Sequence, residues 1–557
     1  MTPEPAAPSS VGAIQRLLAR ISGLGLVMGA LLMAASLTPS LIPRSDVIQG
    51  LLGGVCFAAG YGIAVILRAI WTYLQLPVPG PKTGSGMLVV AALVSGLILV
   101  MFLGRSAHWQ NSIRALMDMP PVDASAPWLI GALASVVATL LIGAGKAIAI
   151  ASEAATRRIE RVIPPRLARV LGLAVVATLV VLIGNGVLVS GAIRALDRSA
   201  QALDAFVQPD VAPPADPLRT GSSASLVAWG DLGREGRNFI GRQPDAGGIS
   251  AVTGREAVDP VRVYVGLNAA SDHTARARLA VEELARVGGF NRGRLVIAMP
   301  TGTGWMDPAA FETLEYLHHG DVATVAIQYS HLSSWLSLLV EPEFSIDAGR
   351  ALFVAVHEHW RTIPQDERPQ LYLYGLSLGA YSSQQSMRMH EIIERPISGA
   401  LWVGPPFVSP LWQTLTAERD PSSPAWLPRL DDGRLVRFTN GTDGLDSAES
   451  WGTLRIVYLQ YASDPITFFT PGSATRPPEW MSPPRGPDVS SDLRWIPIVS
   501  FLQLVFDMAI ALEVPIGHGH LYAFGDHVRP WVEVTQPQGW DAESLAALEH
   551  RLRLRDR

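Results

Sequence analysis

A serine with a glycine two residues before it and another two residues after it is the first candidate for chemistry in this sequence. Ser377 lies at the centre of GLSLG (residues 375–379), after an apolar run at 371–374 and before a stretch of small residues. This spacing lets a strand and the following helix approach closely, while the serine is held on the sharp turn between them. Ser377 is therefore a candidate nucleophile for attack on an acyl carbonyl.

A serine hydroxyl needs a general base to activate it, and the base needs a carboxylate to orient it. The stretch GHGH (residues 517–520) supplies two glycine-flanked imidazoles, His518 and His520, and the sequence does not decide between them. Asp464 follows a β-rich run at 454–461 and is the candidate carboxylate. A helix cap is the competing interpretation of Asp464, because an Asp-Pro pair often begins a helix.

The oxyanion that forms during acyl transfer is stabilised by two backbone N–H groups, one of them from the residue after the nucleophile. Leu378 is that residue here. The second donor is expected in the loop PTGTGW (residues 300–305), where Thr301, Gly302 and Thr303 are candidates.

Two further side chains, His331 and Trp335, follow a predicted strand at 322–329 and are candidates to line the substrate pocket. The pair His318-His319 precedes the same strand, at the opposite edge of the sheet, and adjacent histidines point apart, so we expect a structural role for it. Cys56 is the single cysteine, which excludes an intrachain disulfide and a cysteine metal site. We expect no metal and no cofactor.

The elements that must position these residues alternate between short β-rich runs and amphipathic stretches of helical length. Predicted strands lie at 261–267, 294–299, 322–329, 371–374, 399–403 and 454–461, and predicted helices at 274–287, 308–317, 346–361 and 381–391. Strands separated by helices form βαβ units and hence a mostly parallel sheet. Two insertions with tryptophans among prolines, at 405–452 and 471–494, are expected either to cover the site as a lid or to pack as surface loops.

The first 200 residues carry the apolar excess of a chain that has 48% hydrophobic and 17% charged residues and a mean hydropathy of +0.25. Each of five uncharged stretches has about the 20 residues that a helix needs to cross a bilayer. These predicted spans are Ile21–Leu41, Val47–Leu67, Thr83–Gly104, Ala124–Gly145 and Val170–Ile193. Gly25 and Gly29 in the first span are four residues apart, a spacing of small residues that lets two helices approach closely.

The basic residues between the spans predict their orientation, because cytoplasmic loops are enriched in lysine and arginine. With a cytoplasmic N-terminus, ten basic residues fall inside and three outside. The inside set is Arg16, Arg20, Arg68, Lys82, Lys146, Arg157, Arg158, Arg161, Arg166 and Arg169, and the outside set is Arg44, Arg105 and Arg114. Five crossings then place everything after residue 193 outside the cytoplasm.

The predicted division of the chain is a transmembrane helical domain at 1–196, a proline-rich linker at 197–222 and a catalytic domain at 223–557. An apolar stretch at 498–512 is short and holds Asp507, so we expect a buried helix of a soluble domain there rather than a membrane span. With a net charge of −5 and no basic tail, nucleic acid is not an expected partner. The expected partners are the lipid bilayer and an acyl-ester substrate, and the oligomeric state is left open.

The sequence resembles a bacterial family of membrane-anchored α/β-hydrolase-like proteins, which join an N-terminal multi-helix membrane region to a C-terminal catalytic domain. The stretches that carry the resemblance are SLTPSLIPR, VYVGLNAASD, PTGTGW, LEYLHHGDVATVAIQYSHLSSWLS, LYGLSLGAYSS, YASDPIT and GHGH. The resemblance implies a Ser–Asp–His hydrolase and names no substrate.

These patterns together predict an α-helical transmembrane bundle followed by an α/β-hydrolase domain with a mostly parallel sheet. The predicted function is a serine hydrolase of the cell membrane that cleaves a carboxylic ester of a lipid or envelope component outside the cytoplasm. An acyltransferase with the same triad is the alternative, because both pass through an acyl-enzyme. A receptor or binding module on a hydrolase fold is a third interpretation, since a fold alone proves no activity.

Overall fold

A computed structural model describes residues 22–77, 81–122, 126–182, 204, 208, 210–332, 342–387, 395–447 and 449–556. The chain forms two compact units. The first comprises Met1–Leu188, Thr470–Met481 and Val489–Ile510, and the second comprises Val189–Phe469, Ser482–Asp488 and Ala511–Arg557. The first unit therefore includes two segments from the C-terminal half of the sequence. The predicted division into domains at 1–196 and 223–557 stays a prediction.

The α-helices are numbered here in chain order. The first six are α1 (Gly23–Ser36), α2 (Asp46–Tyr73), α3 (Pro81–Leu103), α4 (Ser106–Arg114), α5 (Pro127–Ile159) and α6 (Pro165–Leu182). The next six are α7 (Gly233–Gly241), α8 (Ala246–Thr253), α9 (His273–Arg286), α10 (Pro308–Leu317), α11 (Pro342–Thr362) and α12 (Leu378–Ser386). The remainder are α13 (Pro410–Ala417), α14 (Pro465–Phe468), α15 (Val499–Ala509), α16 (Val528–Thr535) and α17 (Ala542–Arg553).

The first unit holds three helical stretches that are long and apolar enough to cross a membrane. Among the described residues these are Asp46–Tyr73, Thr83–Met117 and Pro127–Ile159. Helix α1 is apolar but has only 14 residues. The fifth predicted span is described only as far as Leu182, and its remainder lies outside the described residues. Three spans are therefore supported by length and composition, and the prediction of five is not confirmed.

Helices α1 and α2 approach each other through glycines. A Cβ atom on Gly25 would lie 2.7 Å from the Tyr61 ring, and one on Gly29 would lie 2.9 Å from the Phe57 carbonyl oxygen. On α2, a Cβ atom on Gly60 would lie 2.4 Å from the Met28 carbonyl oxygen. The predicted close approach at Gly25 and Gly29 is confirmed, because no larger residue fits these contacts.

Helix α15 belongs to the first unit, whereas the sequence predicts a buried helix of a soluble domain. Val499 packs with Leu52 and Cys56 of α2 in a buried cluster. Asp507 of the same helix is fully buried, accepts a hydrogen bond from the Ser40 hydroxyl at 2.9 Å and lies 3.7 Å from the buried Arg44 guanidinium. Its apolar composition was compatible with either environment, and only tertiary contacts distinguish them.

A seven-stranded sheet organises the second unit. Its strands are β1 (Val261–Val265), β2 (Arg294–Met299), β3 (Val322–Ile327), β4 (Gln370–Leu376), β5 (Gly399–Val403), β6 (Val436–Thr439) and β7 (Arg455–Leu459). The spatial order is β1-β3-β2-β4-β5-β7-β6. Every neighbouring pair is parallel. The predicted parallel α/β sheet is confirmed, and its strands are buried on both faces by helices, as their unbroken apolar runs require.

The strand register brings the carboxyl ends of four neighbouring strands to one edge. Met299 at the end of β2 pairs with Gly375 of β4. Leu376 at the end of β4 pairs with Val403, which ends β5, and Val403 in turn pairs with Leu459 of β7. The loops after β2, β4, β5 and β7 therefore begin side by side, and these loops hold most of the predicted site residues.

The predicted linker and the two predicted insertions differ from a simple tether and a simple lid. In the predicted linker, Val211, Thr220 and Ser222 are buried, so this part of the segment packs within the second unit. The predicted insertion at 405–452 contains β6, a sheet strand that the sequence analysis missed. The second insertion, at 471–494, lies largely in the first unit.

Candidate active site

Ser377 occupies a strained turn between β4 and α12. Its backbone has φ 56° and ψ −127°, a positive φ that non-glycine residues rarely adopt. The backbone N–H of Ser377 donates to the Val403 carbonyl at 2.9 Å, and the residue is only 3% exposed. Backbone strain of this kind persists where the surrounding structure enforces it, often at functional sites. The conformation of Ser377 is the one expected for a nucleophile on a sharp strand-to-helix turn.

The two glycines around Ser377 are required by close backbone contacts. A Cβ atom on Gly375 would lie 2.3 Å from the Gly379 carbonyl oxygen. One on Gly379 would lie 2.2 Å from the Met299 carbonyl oxygen, at the end of β2. Both distances are too short for any side chain, so the glycine spacing is explained by helix α12 lying directly against two strands.

Asp464 follows β7 and is fully buried. Its Oδ1 atom accepts backbone N–H groups from Ile466 at 2.8 Å and Thr467 at 3.3 Å, which makes it the N-cap of α14. Its Oδ2 atom accepts from the Tyr522 hydroxyl at 2.7 Å and from the Thr467 hydroxyl at 3.2 Å. The two sequence interpretations of Asp464 are therefore compatible, since one oxygen caps a helix while the other faces the candidate base.

Tyr522 is a donor that the sequence analysis missed. Burial, and next the neighbouring Asp464 carboxylate, raises the pKa of Tyr522 well above its usual value. The hydroxyl therefore stays protonated and donates to the carboxylate at all physiological pH values. Tyr522 lies just after the turn at residues 518–521, and no local sequence pattern distinguishes it.

His520 is the histidine that contacts the candidate acid. Its Nδ1 atom lies 2.7 Å from Asp464 Oδ2. Its Nε2 atom is buried and has no hydrogen-bond partner among the described residues. His518 is half-buried, and its backbone pairs with Leu521. Because Nδ1 donates to the carboxylate, Nε2 is left as the basic nitrogen of the neutral ring, and the geometry favours His520 over His518 as the base.

The backbone of the His520 loop is held on both sides of the imidazole. The N–H of Gly519 donates to the Ser463 hydroxyl at 3.0 Å, and the N–H of His520 donates to the Ala511 carbonyl at 3.2 Å. Since Ser463 directly precedes Asp464, the acid and the base are anchored to the same short stretch of chain after β7.

Gly404, another residue missed from the sequence, places the imidazole beside the end of β5. It has φ +48°, and a Cβ atom there would lie 2.8 Å from His520 Cε1. Gly404 directly follows Val403, whose carbonyl accepts the Ser377 N–H. The ring edge that carries Nε2 and Cε1 therefore adjoins the strand end that pairs with Ser377.

The candidate oxyanion donors differ in how their N–H groups are used. Leu378 is the first residue of α12, and the first N–H groups of a helix lack intrahelical acceptors. The Thr301 N–H donates to the Trp305 carbonyl at 3.1 Å, so it is committed within its own loop. Gly302 stays a predicted donor. The close contact of Gly379 with Met299 and Pro300 brings the start of this loop next to the start of α12.

The predicted pocket residues have separate outcomes. His331 Nδ1 lies 3.4 Å from Asp204 Oδ2, with both side chains less than a tenth exposed, so His331 is paired inside the second unit. Trp335 lies outside the described residues.

The His318-His319 pair has structural contacts. His318 Nε2 lies 2.8 Å from the Thr535 hydroxyl, and burial lowers the pKa of His318 to about 3. His319 stacks on the Trp540 ring at 5.6 Å between centroids. Across the described ranges, no group of three or more histidine, cysteine, aspartate or glutamate side chains is arranged to hold a metal ion.

Comparison with known families agrees with this architecture. A protein-family model described as "Alpha/beta-hydrolase family" matches residues 261–548, and one described as "Alpha/beta-hydrolase family N-terminus" matches residues 37–244. The chain therefore belongs to this alpha/beta-hydrolase family. Searches of curated proteins and of solved structures gave no match.

Proposed function

We propose that this protein is a membrane-bound serine hydrolase that cleaves a carboxylic ester of a lipid or envelope component. The proposal rests on one observation above all: His520 Nδ1 lies 2.7 Å from a fully buried carboxylate. The opposite ring nitrogen, Nε2, is left without a partner among the described residues. A strained serine at the same sheet edge supplies the nucleophile for such a base.

The proposed mechanism follows from these roles. His520 Nε2 accepts the proton of the Ser377 hydroxyl as its oxygen attacks the ester carbonyl, and Asp464 holds the ring and stabilises the imidazolium that forms. The Leu378 N–H donates to the developing oxyanion. The imidazolium then protonates the leaving alcohol. In the second half of the reaction, His520 takes a proton from water as the water attacks the acyl-enzyme. The imidazolium then returns this proton to the Ser377 oxygen as the carboxylic acid leaves.

A fluorophosphonate probe tests the enzyme proposal on the purified full chain. Wild-type protein is expected to be labelled, and Ser377→Ala to lose the label. Ser382→Ala is a matched control, because Ser382 lies on the same helix, is buried, and its hydroxyl donates to the nearby Gly379 carbonyl at 3.2 Å. A folded wild-type chain without label would instead favour a binding module. Hydrolysis of p-nitrophenyl esters with and without an added alcohol then separates a hydrolase from an acyltransferase.

The membrane part of the proposal is supported by three helical stretches of spanning length among the described residues and by the excess of basic residues on one side of the predicted spans. We propose the cell membrane as the location, with the catalytic domain outside the cytoplasm. A reporter enzyme fused after residue 200 tests this orientation. Activity of a reporter that works only in the cytoplasm would reverse it.

A further inference from the structure

A second histidine–aspartate pair lies in the second unit, apart from the candidate triad. His527 Nε2 is 3.5 Å from Asp307 Oδ2, with side chains 0% and 5% exposed. Neither atom has a hydrogen-bond partner among the described residues. Asp307 ends the loop that follows β2 and caps α10, whereas His527 lies seven residues after His520. The pair therefore joins the two loops that flank the proposed reaction.

The contacts of the pair fix where its protons are. His527 Nδ1 lies 2.8 Å from the Ala523 carbonyl, which can only accept, so Nδ1 carries a hydrogen. Asp307 Oδ1 accepts the Ala309 N–H at 3.0 Å. Without a further proton, Nε2 and Oδ2 would be two buried acceptors that face each other. One proton between them turns this repulsive contact into a hydrogen bond.

The charged groups around Asp307 favour the neutral acid. Burial raises the pKa of Asp307 to about 7, and the carboxylates of Asp556 and Glu312 act in the same direction. Glu312 is itself paired with Arg555. On β4, burial, and next the Asp307 carboxylate, raises the pKa of the Tyr374 hydroxyl. Burial lowers the pKa of His527 to about 4. In the preferred state, therefore, Asp307 is a carboxylic acid and His527 is a neutral ring.

We propose that Asp307 and His527 share one proton in a buried hydrogen bond that positions the loop after β2 against the segment that follows His520. Both are positioning residues, because neither contacts the reacting atoms. His527 acts through Ala523, whose N–H donates to the Tyr461 hydroxyl at 3.1 Å and which directly follows Tyr522, the donor to Asp464. The inference rests on the proposed function for its effect on activity, but not for its effect on stability.

The direction of the pH dependence follows from the two shifts. Asp307 binds its proton more tightly in the folded chain than in the unfolded chain, so its contribution to stability is present at acid pH and declines as pH rises from about 4 to about 7. His527 has the opposite sign, and its contribution is lost as pH falls from about 6.5 to about 4. Above pH 7 the pair loses its shared proton and the hydrogen bond with it.

Asp307→Asn tests the proposal because the amide keeps the size, donates to His527 Nε2 and never ionises. Fluorophosphonate labelling rates of full-length D307N and wild type are compared from pH 6 to 8.5. Their ratio cancels every pH effect that the two chains share. The expected ratio is near one at pH 6 and at least about threefold in favour of D307N at pH 8.5, and Asp307→Ala is slower than D307N throughout. A ratio that does not change with pH would overturn the proposal.

Two further variants distinguish loss of the shared proton from loss of a helix cap. A thermal measurement covers the case in which the enzyme assignment is wrong. Asp272→Asn is the capping control, since Asp272 caps α9 through the Ala275 N–H and is exposed, and it should show no pH-dependent difference. His527→Leu should lower labelling at every pH. If wild type is not labelled at all, the proposed function fails. The thermal midpoint of D307N minus that of wild type then decides alone: growth of this difference as pH rises from about 4 to about 7 supports the shared proton, and a constant difference over this range refutes it.

Discussion

At the scale of single residues, the centre of the candidate site is a carboxylate that accepts hydrogen bonds from several directions. Asp464 accepts two backbone N–H groups, the hydroxyls of Thr467 and Tyr522, and the imidazole of His520. These donors fix the carboxylate, and the carboxylate in turn fixes the tautomer and orientation of the ring. In the proposed mechanism, a base held in this way needs no reorganisation when the serine proton is transferred.

Tyr522→Phe removes one of these donors without changing the shape of the site. A hydrogen bond to a charged group contributes about 1.5–3 kcal/mol, so we expect the rate of Ser377 labelling to fall about tenfold. Tyr458→Phe is the control, because the buried Tyr458 hydroxyl donates to the Gln384 side chain at 3.1 Å instead. An equal loss of rate in both variants would mean that Tyr522 acts only through general stability.

The sequence was informative at this scale where a local pattern is tied to one geometry. The glycine spacing around Ser377 predicts a turn that the structure contains, and Asp464 follows a strand as expected. His518 and His520 could not be separated, because both are flanked by glycine and only a contact with a distant residue distinguishes them. Gly404 was missed for the same reason, since its neighbour His520 is more than 100 residues away in the sequence.

At the scale of elements, four neighbouring parallel strands bring the site loops to one edge. Strands β2 and β5 match their predicted bounds, because buried apolar runs between glycine, proline or polar residues mark central strands clearly. The short strand β6 was missed, since four residues between polar loops give little periodic signal. The packing of helix α15 in the first unit could not be predicted, because an apolar face does not reveal which surface covers it.

Gly404→Ala tests whether the end of β5 positions the imidazole. The added methyl group would lie 2.8 Å from His520 Cε1, so the ring must move and Ser377 labelling should fall at least about tenfold. Gly254→Ala is the control, because Gly254 has a similar positive φ of +69° but nothing within 4 Å of the added atom. Labelling of Gly404→Ala at the control rate would show that the ring does not depend on this contact.

At the scale of the whole molecule, the two compact units share the chain in alternation. Segments at 470–481 and 489–510 belong to the unit that holds the apolar helices, and the segments between and after them belong to the unit that holds the sheet. Within the first unit, α15 is fixed by a buried ion pair between Asp507 and Arg44 and by the Ser40 hydroxyl. The stretch SLIPR (residues 40–44) thus supplies partners for a helix from the C-terminal half of the sequence.

Asp507→Ala should destabilise the first unit. Removal of one partner leaves the Arg44 charge buried, and breaking a buried pair in this way costs about 3–5 kcal/mol. The measurement is the denaturant midpoint of the detergent-solubilised chain. Glu153→Ala is the control, because its ion pair with Arg157 is exposed on both sides and such pairs contribute little. Equal midpoints for the two variants would show that the buried pair does not hold α15.

The most direct test of the central claim compares the two candidate bases. The rate of fluorophosphonate labelling at Ser377, read by mass spectrometry of the modified peptide, is measured for His520→Ala and His518→Ala. A general base contributes about 10²–10⁴ in rate, so His520→Ala should lose at least about 100-fold while His518→Ala stays within about threefold of wild type. Full labelling of His520→Ala, or loss of labelling only in His518→Ala, would contradict the account.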